Sequence, residues 1–350
     1  MNYLSKSVGW MSSVLSSPLP ATSVKIFDVA EQVDAEKIGE RIERDEHYFS
    51  LWVNQLYLDK GNLAWAEYDP TVLFVTDYMY AGERVTVPYV IGPAMIKNTP
   101  GPIPHGFLIN DIKVAGPVPF KGGNIGITVI LYAMKRTDFA RELLKIVQGL
   151  SSAVGAPADI ATLLKVGVSL IDGIEAAVGL GETRSIVGHR REINTSSRMG
   201  LRSFFSALSN DASFNDRSLQ IKSGRLLLNE DGRAMPYSGS DFVLYSLVGS
   251  ETRGDDQLLG LEKLRKSAMR DAAGKSDDEW QRAKSTMATL YQELVSSDDL
   301  TLAEANQLAD TYIAKLKDAH RRSKIKMLST GVQVRAADKA LEKFKVITKM

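Results

Sequence analysis

Three adjacent carboxylate pairs, Asp255-Asp256, Asp277-Asp278 and Asp298-Asp299, are the residues whose type and spacing come nearest to general acid–base chemistry. Such chemistry needs one carboxyl held protonated near another held ionised. All three pairs fall at or near predicted helix starts, where negative charge complements the free N–H groups and the helix dipole. Capping accounts for them without a reaction. Histidine offers no more: His47, His105, His189 and His320 stand far apart, and none belongs to an HExxH or HxxxH pair that would grip a metal. Cysteine is absent, which removes disulfides, Cys-ligated zinc, iron–sulfur clusters and thiol nucleophiles together.

Phosphate chemistry finds no better footing. The P-loop pattern (GxxxxGK followed by Ser or Thr) and GxGxxG are both missing from the chain. Gly122-Gly123-Asn124-Ile125-Gly126 leads into a strand, so it lacks the helix N-terminus that would hold a phosphate. Gly179-Leu180-Gly181 follows a helix, the wrong order again. No GxSxG elbow occurs, and no serine sits in a motif with histidine and acid. His189-Arg190-Arg191 has the charge to bind an anion but reads equally as an exposed strand end, and Arg253-Gly254-Asp255 matches an adhesion tripeptide by letters alone. The expectation is a protein without catalytic residues, cofactor, metal or small-molecule substrate.

Hydrophobic residues at 44% and charged residues at 24% of 350 positions are ordinary for a globular chain, long enough for two domains. Lys+Arg 43 against Asp+Glu 42 leaves +1, which argues against a protein that grips nucleic acid over a broad surface. The charge is uneven, however. From Ile313 onward there are 11 Lys and Arg against 3 Asp and Glu. Lys315, Lys317, Arg321, Arg322, Lys324 and Lys326 form a candidate basic surface for an acidic patch, an anionic membrane or nucleic acid. The acidic stretch Asp28 to Glu46 is one such patch, read as a short, mostly solvated helix.

The longest apolar helical signal, around which the rest of the chain is read, is 137–181. Phe139, Leu143 and Val147 recur at four-residue steps; after Gly155-Ala156-Pro157, Ile160, Leu163, Leu164, Leu170, Ile171 and Ile174 continue the helical spacing. This predicts a helical hairpin whose apolar face covers a sheet, docks a partner or enters a membrane. Lys165, Asp172 and Glu175 weigh against a simple span, since each charge at a bilayer centre costs about 2.5–3.5 kcal/mol.

On either side the pattern is β. Strands are expected at 24–28, 50–58, 72–80, 85–91, 106–115, 125–134, 184–193, 217–222, 225–229 and 242–248. Ala81-Gly82 predicts a hairpin turn, Pro88 an edge position or a bulge, and the two-faced apolar run Ile125 to Met134 a central strand. The proline-rich stretch 92–106 is expected as an exposed loop, and Ser206 to Asp216 as a flexible one. Beyond Ser250 the signals are helical, at 255–273, 277–295, 302–317 and 336–347, with capping boxes Ser276/Glu279 and Thr301/Glu304. Trp280, Met287, Leu290, Tyr291 and Leu294 are assigned to the buried face of the second of these helices.

The reading is therefore α+β: an antiparallel β-sandwich at 23–250 with the hairpin inserted, a flexible or docking segment at 1–22, and a helical region with a basic tail at 251–350. The expected function is non-catalytic binding of a protein partner or of further copies, in the cytoplasm. The alternative is a membrane-acting effector that uses the 139–181 hairpin, and an enzyme of unrecognised type comes third.

Overall fold

The computed structural model describes residues 21–27, 39–59, 68–92, 108–135, 184–196, 200–254 and 259–328. The fold is α+β. It divides into two compact units, Met1–Arg253 and Gly254–Met350. The hairpin expected at 137–181, the proline-rich loop beyond Gly92 and the helix expected at 336–347 lie outside the described residues.

In the first unit the strands are β1 (Ser23–Phe27), β2 (Arg41–Ile42), β3 (Tyr48–Tyr57), β4 (Tyr68–Tyr80), β5 (Glu83–Ile91), β6 (Leu108–Pro119), β7 (Ile125–Lys135) and β8 (Arg184–Ile193). They are followed by β9 (Leu201–Arg202), β10 (Phe204–Ser209), β11 (Leu219–Lys222), β12 (Arg225–Glu230), β13 (Arg233–Pro236) and β14 (Phe242–Ser250). A five-stranded sheet runs β1-β10-β14-β3-β6 and a four-stranded sheet β5-β4-β7-β8, with β11-β12-β13 and β2-β9 as smaller sheets. All pairings are antiparallel.

The two larger sheets share one core, because alternate residues of each strand point to it. Phe49, Leu51 and Val53 of β3 and Tyr245 and Leu247 of β14 meet Val72, Phe74 and Tyr78 of β4 and Ile127, Val129 and Leu131 of β7. Edge-to-face ring pairs span it, Phe49 with Tyr78 at 5.6 Å and Phe74 with Tyr245 at 5.7 Å. The other face of β4 and β7 is apolar as well: Leu73, Val75 and Ile130 are buried although they point away from that core. A second cluster lies on the far side of the five-stranded sheet, where Phe27, Tyr57, Ala207, Phe242 and Leu244 pack with Leu219, Ile221 and Leu226.

Several expectations hold in detail. Tyr80 pairs with Glu83 around Ala81-Gly82, both at positive φ, and β5 with Pro88 is an outer strand. β7 is flanked by β4 and β8 and buried on both faces from Ile125 to Leu131. Asp231 and Gly232 take φ 51° and 76°, the left-handed values that a two-residue hairpin turn between β12 and β13 needs.

Two expectations are corrected. Ser206 to Asp216 is not a flexible loop, since its first part is β10, an interior strand, and Phe214–Asp216 is a 3-10 turn. Phe204, Ser206 and Leu208 face the shared core while Phe205 and Ala207 face the second cluster, so small residues here reflect close packing rather than solvation. The described part of the 28–46 stretch is not helical either. Arg41-Ile42 pairs with β9, Asp45 sits at φ 63°, and Ile42 is drawn into the core.

The second unit holds α1 (Leu259–Ala272), α2 (Asp277–Ser296) and α3 (Leu302–Leu328). Ser276 caps α2 through a reciprocal capping box with Glu279, and the Glu304 N–H donates to Thr301 Oγ1 at the start of α3. Trp280, Ala283, Met287, Leu290 and Leu294 of α2 pack with Ala268 and Ala272 of α1 and Ala305, Ala309 and Leu316 of α3. α3 runs past the expected end at Lys317. Asp318 holds Arg321 and Arg322 one turn on, and His320 packs on Trp280, so the extra turns are anchored.

Candidate functional site

The polar residues of the β unit assemble most densely between the loops at 209–217 and 236–241. Ser209 Oγ meets Ser240 Oγ at 2.7 Å and donates to the Asp241 carbonyl, while Tyr237 Oη meets Ser240 Oγ at 2.8 Å. Asp241 accepts from the Asp59 N–H at 2.7 Å and from Asn210. Arg217 donates to Asp211 at 3.0 Å. Burial works to raise the Asp211 pKa, but the Ser213 N–H and hydroxyl and the Arg217 guanidinium win and hold it below its ordinary value. The hydroxyls are joined to carbonyls, carboxylates and each other, with no imidazole in the chain of bonds to act as a base. This arrangement fixes two loops; it does not make a nucleophile.

The carboxylate pairs stay apart from one another. Asp277 and Asp278 are exposed in the first turn of α2, where Asp277 pairs with Lys324 at 3.2 Å, and Asp298-Asp299 lies in the turn before α3. Asp255-Asp256 is outside the described residues. His47 accepts the Glu43 N–H at Nδ1, and His189 lies in β8. Among the described residues no group of three or more His, Asp and Glu is placed to hold a metal ion.

His320 is buried in the helical unit, stacked on Trp280 with ring centroids 4.0 Å apart. Burial first and then the Lys324 ammonium lower its pKa, against smaller upward pulls from the Ala272 carbonyl and Asp277, with Lys284 adding a lesser downward push. A lowered folded pKa means the unfolded chain binds the proton more readily, so stability falls with falling pH through and below about 6.5 and levels off beneath the folded value. The helical unit is expected to melt at a lower temperature near pH 5 than near pH 7.5. In His320→Phe, which keeps the stack, that dependence should shrink; an unchanged dependence would show that other groups cause it.

The predicted basic surface divides when placed on α3. Lys315 and Arg322 share one stripe, Lys317, Arg321 and Lys324 another, as positions four and seven apart do on a helix. Arg321 and Arg322 both reach Asp318, at 2.9 and 2.7 Å, and Lys324 reaches Asp277. Lys326 belongs to the last turn of α3. Acids of the same unit thus meet part of the charge. The apolar candidates Phe139, Leu143, Val147, Ile160, Leu163, Leu164, Leu170, Ile171 and Ile174 all fall outside the described residues.

A surface that the sequence reading missed lies on α2 and α3. Tyr291, assigned to the core, is instead 43% exposed; Val295, one turn on, is 37% exposed and Leu302 is 44% exposed. The Tyr291 hydroxyl meets Asn306 Oδ1 at 3.2 Å; Tyr291 and Val295 are one turn apart on α2, and Leu302 is one turn before Asn306 on α3. Glu293, Asp298 and Asp299 stand around them in sequence. The buried row of α2 is 280, 283, 287, 290 and 294; Tyr291 and Val295 each follow it by one position, a 100° turn that takes them out of the core. No known protein family, curated protein or solved structure matches the chain. No described helix is long and apolar enough to cross a membrane.

Proposed function

We propose that this is a non-catalytic assembly protein that associates with further copies of itself through the helical unit. The supporting observation is that Tyr291, Val295 and Leu302 are exposed on the packed α2–α3 pair, with the Tyr291 hydroxyl reaching Asn306 of α3. Scattered exposed apolar residues are normal, whereas adjacent ones on packed helices mark contact surfaces. The proposed contact is isologous, centred near Val295, so that each patch buries its counterpart. Three side chains, each less than half exposed, fall short of the ~800 Å² per partner of a stable interface. The association is therefore weak and concentration-dependent. Its proposed setting is the cytoplasm. The membrane-acting alternative rests on residues 139–181 and draws no separate support from the two units described.

Light scattering tests this reading. The wild-type mass should rise with concentration, and Tyr291→Asp with Val295→Asp should hold it at one chain while the circular dichroism is unchanged. The apolar contact should also survive added salt. A wild-type protein that stays strictly monomeric at the highest attainable concentration would overturn it.

A further inference from the structure

The four-stranded sheet buries both of its faces, and the shared core accounts for one. β4 and β7 turn Val72, Phe74, Val129 and Leu131 toward the five-stranded sheet. Leu73, Val75, Thr128 and Ile130 alternate with these and point the other way, and Val90 of β5 stands beside Leu73. Each of these five is at most 3% exposed. None belongs to a cluster formed among the described side chains. Tyr132 stands on the same face, opposite Thr71, and burial raises its pKa. An antiparallel sheet with one face in water alternates apolar and polar residues, whereas this outer face is apolar and closed to solvent. It therefore has an occupant.

The connectivity points to which one. β7 and β8 are antiparallel neighbours and Ala133 pairs with Arg184, so the stretch 136–183 leaves this sheet and returns to it at nearly the same point. Of the stretches outside the described residues, it is the one with both ends in the four-stranded sheet. By contrast, 60–67 comes from β3 and 93–107 leads to β6, both strands of the five-stranded sheet. The sequence of 136–183 has the matching character, with Leu143, Val147, Leu163, Leu170 and Ile174 at helical spacing. On such a helix Lys165 and Asp172 fall opposite the apolar stripe. Its length matches too: a helix over 157–179 would run about 35 Å, close to the span of a strand such as β7. Two helices side by side are about 20 Å across, roughly the width of four strands. We propose that the outer face of β5-β4-β7-β8 is the docking surface for segment 139–181 of the same chain, whose apolar stripe lies on Leu73, Val75 and Ile130. This contact is independent of the association proposed for the helical unit.

Because the chain has no cysteine, a single introduced thiol reports on either face of β7. In dilute full-length protein Ile130→Cys, on the outer face, and Val129→Cys, in the shared core, should both react slowly with a thiol reagent. Adding Leu163→Asp and Leu170→Asp should speed the reaction of Ile130→Cys about a hundredfold or more and leave Val129→Cys protected, because carboxylates set on an apolar face drive the two layers apart. Rapid labelling of Ile130→Cys without the aspartates, or protection that survives them, would overturn the proposal. A second readout holds even if the aspartates unfold the whole unit. With p-benzoylphenylalanine in place of Tyr132, ultraviolet light should join the outer face to a peptide within 143–178, in a product that keeps the mass of one chain. Adducts to a second copy or to another stretch of the chain, or no adduct at all, would overturn the proposal.

Discussion

Phe74→Ala is expected to destabilise the β unit by about 3–5 kcal/mol, the range for truncating a buried phenylalanine. Phe74 is 0% exposed and lies between Tyr89 and Val129 on neighbouring strands. It also makes an edge contact with Tyr245, so it joins the four-stranded sheet to the five-stranded one. The cavity cannot be filled by simple collapse, because each neighbour is held by its own strand pairing. Set against a total stability of about 5–15 kcal/mol, such a loss leaves the unit marginal. Urea unfolding followed by circular dichroism measures it, with Ile26→Ala as the reference. Ile26 is 48% exposed, and its truncation should change stability by about 0.5 kcal/mol or less. A comparable cost for the two variants would mean that the sheets do not depend on each other through this core.

Trp280→Ala should act as strongly on the helical unit, again about 3–5 kcal/mol. The indole is 6% exposed, stacks on His320 of α3 and lies beneath Lys284, so it ties the start of α2 to the last turns of α3. A three-helix unit of this size has little stability to spare. Helical signal should fall at temperatures where wild type is folded. Self-association should fall with it, although Tyr291 and Val295 are untouched, because the patch exists only while α2 and α3 are aligned. Association that persists in an unfolded helical unit would separate the two.

The strongest periodic signals were legible in the residues. Ala81-Gly82, Pro88 and the run from Ile125 to Met134 correctly gave a turn, an edge strand and a central strand. Ser276 with Glu279 marked a helix start, because a capping box is local chemistry. What was missed depends on long-range packing. β10 reads as small and polar, yet Ser206 and Ser209 are buried between strands far apart in sequence. Ile42 gives no strand signal; β9, some 160 residues later, makes it one.

The candidate surfaces divide in the same way. His189-Arg190-Arg191 announces cations on a strand, and alternation says that Arg190 opposes the other two. Which face is the core depends on β10 and β14, so the partial burial of Arg191 over the Phe204 ring was not legible. Tyr291 was placed on the core face because aromatic residues near a helical stripe usually belong to it. One position of rotation decides otherwise, and the packing of α3 sets that rotation.

The chain's lack of cysteine permits the most direct test of the assembly proposal. A single Val295→Cys substitution puts one thiol at the centre of the proposed contact, and Gln281→Cys puts one on the exposed side of α2, several turns away. Each variant is oxidised at a concentration where wild type shows increased mass and is then run on a non-reducing gel. A covalent dimer from Val295→Cys, with Gln281→Cys remaining a monomer, is the predicted result. Equal cross-linking from both positions, or none from Val295→Cys, would contradict association through this surface.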